Sequence, residues 1–397
     1  MGNTISRRQL FLQHVAQTSP APMGLEAGHA AGIYIYDTNG KRYTDLIAGV
    51  AVSNVGHCHP KVVAAVQEQA ARYMHLMVYG EYIQSPQTAY AQALASILPP
   101  PLDCIYFVNS GSEANEGALK LAKRYTGRTE IVAFKNAYHG STQGVLSAMG
   151  DELFRNAFRP LLPGVRQGTF NSFEDLRHIT RRTAAVLIEP VQGEAGVITP
   201  QAGYLQALRE RCNQTGTLLI FDEVQTGFGR TGSWFAAAHY GVTPDIMTLA
   251  KAMGGGMPLG AFVASREIME VLQSRPALGH ITTFGGHPVS CAAAAAALNV
   301  LQDENLPATV AEKAALFRRL LVHEAIKEIR GEGLMLAVEL GNAQRLQRVV
   351  SGLWDEGIIT EWFLFCNTAF RIAPPLIITE EEIREICAVL VEALDKY

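Results

Sequence analysis

Leu218-Leu-Ile-Phe-Asp222-Glu-Val-Gln225 and Met247-Thr-Leu-Ala-Lys251 are two short apolar runs, each ending on one charged residue and passing into glycine-containing chain. Apolar residues in unbroken succession fit a strand covered on both faces, the kind found in mostly parallel sheets. One strand–helix–strand unit separates the two runs, and such a unit sets its strand ends side by side. A carboxylate, Asp222, is therefore expected beside an amine, Lys251. Residues that directly follow buried runs rarely sit on a solvated face.

Outward from this pair the same pattern repeats. Further strand candidates are Cys104-Ile-Tyr-Phe-Val108, Glu130-Ile-Val-Ala-Phe134, Ala185-Val-Leu-Ile188 and Gly260-Ala-Phe-Val263, alternating with helices from about residue 60. This predicts an α/β fold with a mostly parallel sheet. Before it, Ile33-Tyr-Ile-Tyr36 and Tyr43-Thr-Asp-Leu-Ile47 flank an Asn39-Gly40 turn and read as a hairpin. An alanine-rich helix around 290–300 leads to a second α/β region, and Thr379-Glu-Glu-Glu382 is a capping box opening the last helix. The expected division is an N-terminal segment 1–55 of a small domain, a large domain 56–290, and a C-terminal small-domain part 291–397.

With 397 residues, 48% of them hydrophobic, the chain can bury a large core. No apolar stretch approaches the ~20 residues of a membrane span. A formal charge of −4 and the lack of a long basic run argue against a nucleic-acid footprint. Six cysteines without C-x-x-C spacing fit reduced thiols and a cytoplasmic location, and the His57-Cys58-His59 triplet does not make a metal site. Met1-Gly-Asn-Thr-Ile-Ser6 fits a loose myristoylation pattern with no second anchoring signal, and Arg7 to Val15 reads as a helix.

Three segments carry chemistry besides the opening pair. Asn109-Ser-Gly-Ser-Glu-Ala-Asn-Glu116 follows a strand and opens a helix, so its amides and the Ser110 and Ser112 hydroxyls can cradle a phosphate; an ordinary N-capped helix suits the same residues. Ala137-Tyr-His-Gly140 places an aromatic ring near the same sheet edge, for stacking or for packing. Glu189 ends another strand, at the edge where open α/β sheets bind ligands. Lys251 precedes Gly254-Gly-Gly256, a flexible approach for a lysine that must swing. A lysine for the Schiff base and a carboxylate for the pyridine nitrogen are the two groups that pyridoxal phosphate (PLP) demands of a protein.

With those residues in hand, the chain resembles the class III PLP-dependent aminotransferases of fold type I, the group of acetylornithine, ornithine and 4-aminobutyrate aminotransferases. The resemblance runs from Asn54-Val-Gly-His-Cys-His-Pro60 to Pro374-Pro375 and rests on Asn109 to Glu116, on Phe221-Asp-Glu-Val-Gln-Thr-Gly-Phe-Gly-Arg-Thr-Gly232 and on Leu249-Ala-Lys251, in the family's order. It implies a large domain with a mostly parallel seven-stranded sheet and a small α/β domain from both chain ends. It implies that Lys251 links to the cofactor and carries the proton, and that Asp222 pairs with the pyridine nitrogen. Val224 and Tyr138 would flank the ring, Gln225 would reach its hydroxyl, and Ser110, Gly111, Ser112, His139 and Glu194 would complete the cofactor shell.

The same resemblance makes Thr283 a residue that reaches the cofactor phosphate of the neighbouring subunit in a homodimer, and makes Thr282 face substrate. Arg371 would grip the substrate α-carboxylate, with Glu189 neutralising it while an ω-amino donor is bound. The implied reaction moves an amino group, from an ornithine- or acetylornithine-like donor, to 2-oxoglutarate to give glutamate. An ω-amine or amino acid:pyruvate aminotransferase shares the cofactor residues, as does a same-fold PLP decarboxylase or aminomutase. A non-catalytic scaffold would not need them. The chain departs from the family at Ser141, where those enzymes have the arginine that binds the donor carboxylate, and at Val50, where ornithine aminotransferase has a tyrosine.

Overall fold

The computed structural model describes residues 5–397, so most of the myristoylation pattern, Met1–Thr4, lies outside it. Seven strands build the central sheet: β1 (Cys104–Val108), β2 (Glu130–Phe134), β3 (Val165–Gly168), β4 (Thr183–Ile188), β5 (Leu218–Asp222), β6 (Ile246–Leu249) and β7 (Gly260–Ala264). Their order is β1-β7-β6-β5-β4-β2-β3. Strands β3, β2, β4, β5 and β6 are parallel, while β7 runs against both its neighbours. Every residue of β4 to β7 is buried, as their unbroken apolar runs require.

Helix Gly111–Thr126 covers this sheet with a face of Ala114, Ala118, Leu121 and Ala122. Gly117 on the same helix lies against the Phe262 ring, where a Cβ would collide. The alanine-rich helix, Pro288–Asp303, packs against helices Pro60–Arg72 and Ser85–Ala95. Its small side chains also admit the loop after Lys251: a Cβ on Gly255 would stand 2.8 Å from Ala297 Cβ and 2.9 Å from the Ala293 carbonyl.

Two four-stranded sheets flank this body. One joins Ala27–Ala31, Tyr34–Asp37 and Arg42–Asp45 to Ile358–Ile359, pairing the beginning of the chain with its end. Its hairpin turns where expected, with Asp37 Oδ1 accepting from the Asn39 and Lys41 amides at 2.8 Å and Gly40 at φ 86°. The other holds Glu328–Glu332, Met335–Glu339, Cys366–Ile372 and Trp362–Phe363, and carries Arg371 on its long strand. Capping boxes at Ser6/Gln9 and Thr379/Glu382 open the first and last helices.

Candidate active site

Parallel pairing sets Asp222, the last residue of β5, opposite Thr248 of β6, so the chain leaves both strands at one edge. Lys251 follows two residues after β6, in a turn spanning Lys251–Gly254, with φ 52°. A lysine in the left-handed region costs about 1 kcal/mol, and the surrounding packing must hold it there. Its amine makes no hydrogen bond or ion pair among the described residues. Burial of the ammonium group, helped by Arg371, holds its pKa below the usual lysine value despite the opposing charges of Glu194, Asp222 and Glu189.

Asp222 is held from three sides. Its Oδ2 accepts from Asn115 Nδ2 and pairs with His139 Nδ1, both at 2.8 Å, and its Oδ1 accepts from the Val224 amide at 3.1 Å. Asn115 in turn donates to the His139 carbonyl at 2.9 Å and accepts from Thr248 Oγ1 at 2.7 Å. A carboxylate offers about four acceptor positions, so one remains on Asp222, which lines the cavity. His139 Nε2 is buried without a partner. Asn115 and Thr248 were missed in the sequence; the signal was a polar residue on the buried face of an alanine helix and another inside an apolar strand.

Ser110, Gly111, Ser112, Tyr138, His139, Glu189, Asp222, Val224, Gln225 and Lys251 all line one cavity of about 480 Å³. Ser110 Oγ caps its helix by accepting from the Glu113 amide at 3.2 Å, leaving the Gly111 and Ser112 amides of the first turn without intrahelical partners. Gly111 faces Val224, whose Cγ1 would lie 3.0 Å from a Cβ there. Ser112 Oγ accepts from the Ser141 amide at 3.3 Å.

Glu194 lines a second cavity of about 780 Å³, which shares Tyr138 and Lys251 with the first. The expected pair of Glu189 with Arg371 is not formed. Glu189 instead accepts from the Tyr138 amide at 3.1 Å and the Gly193 amide at 3.0 Å. The chain turns at Gly193, and Glu194 meets the Arg371 guanidinium at 2.8 Å. Burial pushes the Glu194 carboxyl up, but Arg371 and Lys251 outweigh it and hold it below the usual range. Gln225 joins this pair, 3.4 Å from each partner.

Thr282 and Thr283 lie outside both cavities. Thr282 Oγ1 accepts from Asn109 Nδ2 at 3.1 Å, so within its own chain it does not face the expected substrate position. Thr283 is exposed, with Tyr79 Oη at 3.4 Å.

Burial pushes Glu189 up to about 7, and it does the same to Glu223, which accepts from the Ala236 and Ala237 amides after β5. A carboxyl with a raised folded-state pKa binds its proton more tightly when folded. Its stabilising contribution is therefore complete below the unfolded value near 4.5 and is lost as pH rises through about 7. Glu223→Gln should flatten the pH dependence of unfolding free energy between those limits by up to about 1 kcal/mol per pH unit. Denaturant titrations across that range check it, and an unchanged slope would contradict the assignment.

The sequence matches the family described as Aminotransferase class-III over residues 15–394. The chain belongs to the class III aminotransferases. It is 42% identical over 394 residues to the acetylornithine aminotransferase of Methanopyrus kandleri, covering 98% of each chain. The ornithine aminotransferase of Toxoplasma gondii, whose structure has PLP at partial occupancy in its active site, superposes with a TM-score of 0.90 at 33% identity, over 97% of this chain and 92% of that one. A Bacillus anthracis aminotransferase gives 0.92 at 28% identity, over 98% of both. The family's α/β architecture is thus present here, and the chain is an aminotransferase. Among the described residues no helix is long and apolar enough to cross a membrane.

Proposed function

We propose that this aminotransferase uses PLP and moves an amino group to 2-oxoglutarate, giving glutamate. The observation that carries the reading is the partnerless Lys251 amine in one cavity with the Asp222–His139–Asn115 network, next to the Arg371–Glu194 pair. The residues present fit such a cofactor: free helix-start amides suit a phosphate, Val224 and Tyr138 suit the two faces of a ring, and the last acceptor position of Asp222 suits a protonated ring nitrogen. When bound, PLP supplies an aldehyde to bond the amine and an electron-withdrawing ring. Lys251 Nζ then takes the proton from the donor carbon and returns it to the other side of the transferred nitrogen.

Arg371 receives the acceptor's carboxylate. While the donor occupies the site, Glu194 keeps the guanidinium neutralised, and the acceptor displaces it. Glu194→Gln should tighten binding of glutarate, a dicarboxylate that cannot react, about tenfold, while Glu189→Gln should not. Competition against 2-oxoglutarate reads this out; tighter binding in Glu189→Gln with none in Glu194→Gln would return the switch to Glu189.

The working unit is proposed to be a cytoplasmic homodimer. Exposed Thr283 is followed by exposed Phe284, whose ring lies 4.9 Å from that of His75, the neighbour of exposed Met74. Such a surface suits burial against a second copy. All six cysteines are free, which suits a reducing compartment. The deciding experiment supplies a panel of amines with 2-oxoglutarate or pyruvate and measures glutamate, alanine and CO2. Glutamate formation supports the proposal; preferred use of pyruvate, or CO2 release without amino transfer, overturns it.

A further inference from the structure

The larger cavity runs outward from Lys251 and Tyr138 between the two ends of the chain. Pro22 and Met23 line it from one side, Trp354 and Trp362 from the other. Among the described residues lining it are three carboxylates, Glu194, Asp355 and Glu361, and one cation, Lys251. Glu194 is taken by Arg371 at 2.8 Å. Glu361 is not satisfied in the same way: its carboxylate accepts no hydrogen bond among the described residues, and its nearest cation is Arg371 Nε at 3.9 Å. That nitrogen is buried without a hydrogen-bond partner. The guanidinium rests on the Phe363 ring, 4.5 Å from its centroid.

Two carboxylates around one guanidinium leave one negative charge in excess beside an apolar wall. Ser141, beside Tyr138, brings no charge: its hydroxyl pairs with Tyr138 Oη at 3.2 Å. Asp355 adds charge of the same sign at the exposed rim, although Lys41 Nζ approaches its carbonyl from outside the cavity at 2.9 Å. While Glu194 is seated on Arg371, the outer part of the cavity at Glu361 and Asp355 favours a cation over a carboxylate.

We infer that the amino donor is an aliphatic diamine, with one amine delivered to Lys251 and the second, as an ammonium group, received by Glu361 while the methylene spacer lies along Trp354 and Trp362. The inference rests on the aminotransferase reading above and specifies its donor. Burial and the neighbouring Glu194 push the Glu361 carboxyl up despite Arg371, so an arriving ammonium group relieves an unfavourable charge. In the reaction one terminal carbon of the diamine gives up its C–N bond and one C–H bond for C=O and is oxidised to an aldehyde. The keto carbon of the 2-oxo acid gives up C=O for one C–N and one C–H bond and is reduced to the amino acid. No outside oxidant is needed, and the second ammonium group leaves unchanged.

The test mixes PLP-loaded enzyme, without acceptor, with α,ω-diaminoalkanes of three to six carbons, with n-alkylamines of equal length, and with the matching ω-amino acids, following the cofactor spectrum in a single turnover. The best diamine is expected to exceed both its monoamine and its ω-amino acid about tenfold or more in rate constant over dissociation constant. Glu361→Gln should bring the diamine-to-monoamine ratio close to one, and Glu361→Asp should restore part of it. If monoamines or ω-amino acids convert as well as diamines, or if Glu361→Gln leaves the ratio standing, the diamine inference fails and the aminotransferase reading survives. If no amine of the panel changes the spectrum, the diamine inference fails alone; the 2-oxoglutarate reading fails only if glutamate, added in the same way, also leaves the spectrum unchanged.

Discussion

Lys251→Ala is expected to lower amino transfer by at least about 10⁴-fold and to remove the visible absorbance of covalently held cofactor. The size of the effect follows from the two tasks proposed for one atom. Lys251 Nζ is the single amine lining either cavity among the described residues, and nothing else at the β5–β6 edge can both bond an aldehyde and carry a proton. Its depressed pKa places more of it in the free-base form that can attack. Folding should not suffer: a buried ammonium without a hydrogen bond opposes folding at neutral pH, so the cofactor-free variant should unfold no earlier than the parent. A small primary amine added to the buffer should restore part of the proton transfer, because the vacated space still faces the donor carbon. Full activity in the variant, or its collapse without cofactor, would refute this account.

What could be read in the sequence has a physical boundary. The ends of β5 and β6 were legible because unbroken apolar runs mark buried strands, and a charged residue at the end of such a run must be used. The turn at Gly111 was legible because a helix start leaves amides free wherever it occurs. The direction of a loop was not legible in this way. Glu189 and Glu194 both follow β4, and which of them meets Arg371 depends on the chain reversing at Gly193, closed by the paired Gln192 and Ile198 backbones. No local preference of Pro190 or Val191 announces that reversal.

Strands β3 and Ala27–Ala31 escaped for another reason. Val-Arg-Gln-Gly and Ala-Gly-His-Ala-Ala lie at sheet edges, carry few apolar side chains, and become strands through their neighbours. Likewise, the outer cavity joins Met23 to Trp354 and Trp362, residues from opposite ends of the chain, so Glu361 gave no sign of its position before the fold assembled.

Asp222→Asn is expected to cost about 10³-fold in amino transfer while leaving stability within about 1 kcal/mol of the parent. The two halves of that expectation separate charge from shape. An asparagine oxygen in the place of Oδ2 can still accept from His139 Nδ1 and Asn115 Nδ2, so the buried donors keep their partner, and only the half-buried Val224 amide loses its acceptor. What disappears is the negative charge proposed to face a protonated ring nitrogen, in a buried site where little water would screen it. Asp222→Ala differs in kind. It strips the acceptor from His139, from one bond of Asn115 and from the Val224 amide, and the two fully buried donors alone should cost about 2–4 kcal/mol. If activity alone were measured, the two variants would look alike. Denaturant unfolding of both distinguishes them: an Asn variant that is stable but slow, beside an Ala variant that is slow and unstable, assigns the rate to charge. An Asn variant within tenfold of the parent rate would mean that Asp222 only holds His139 in place.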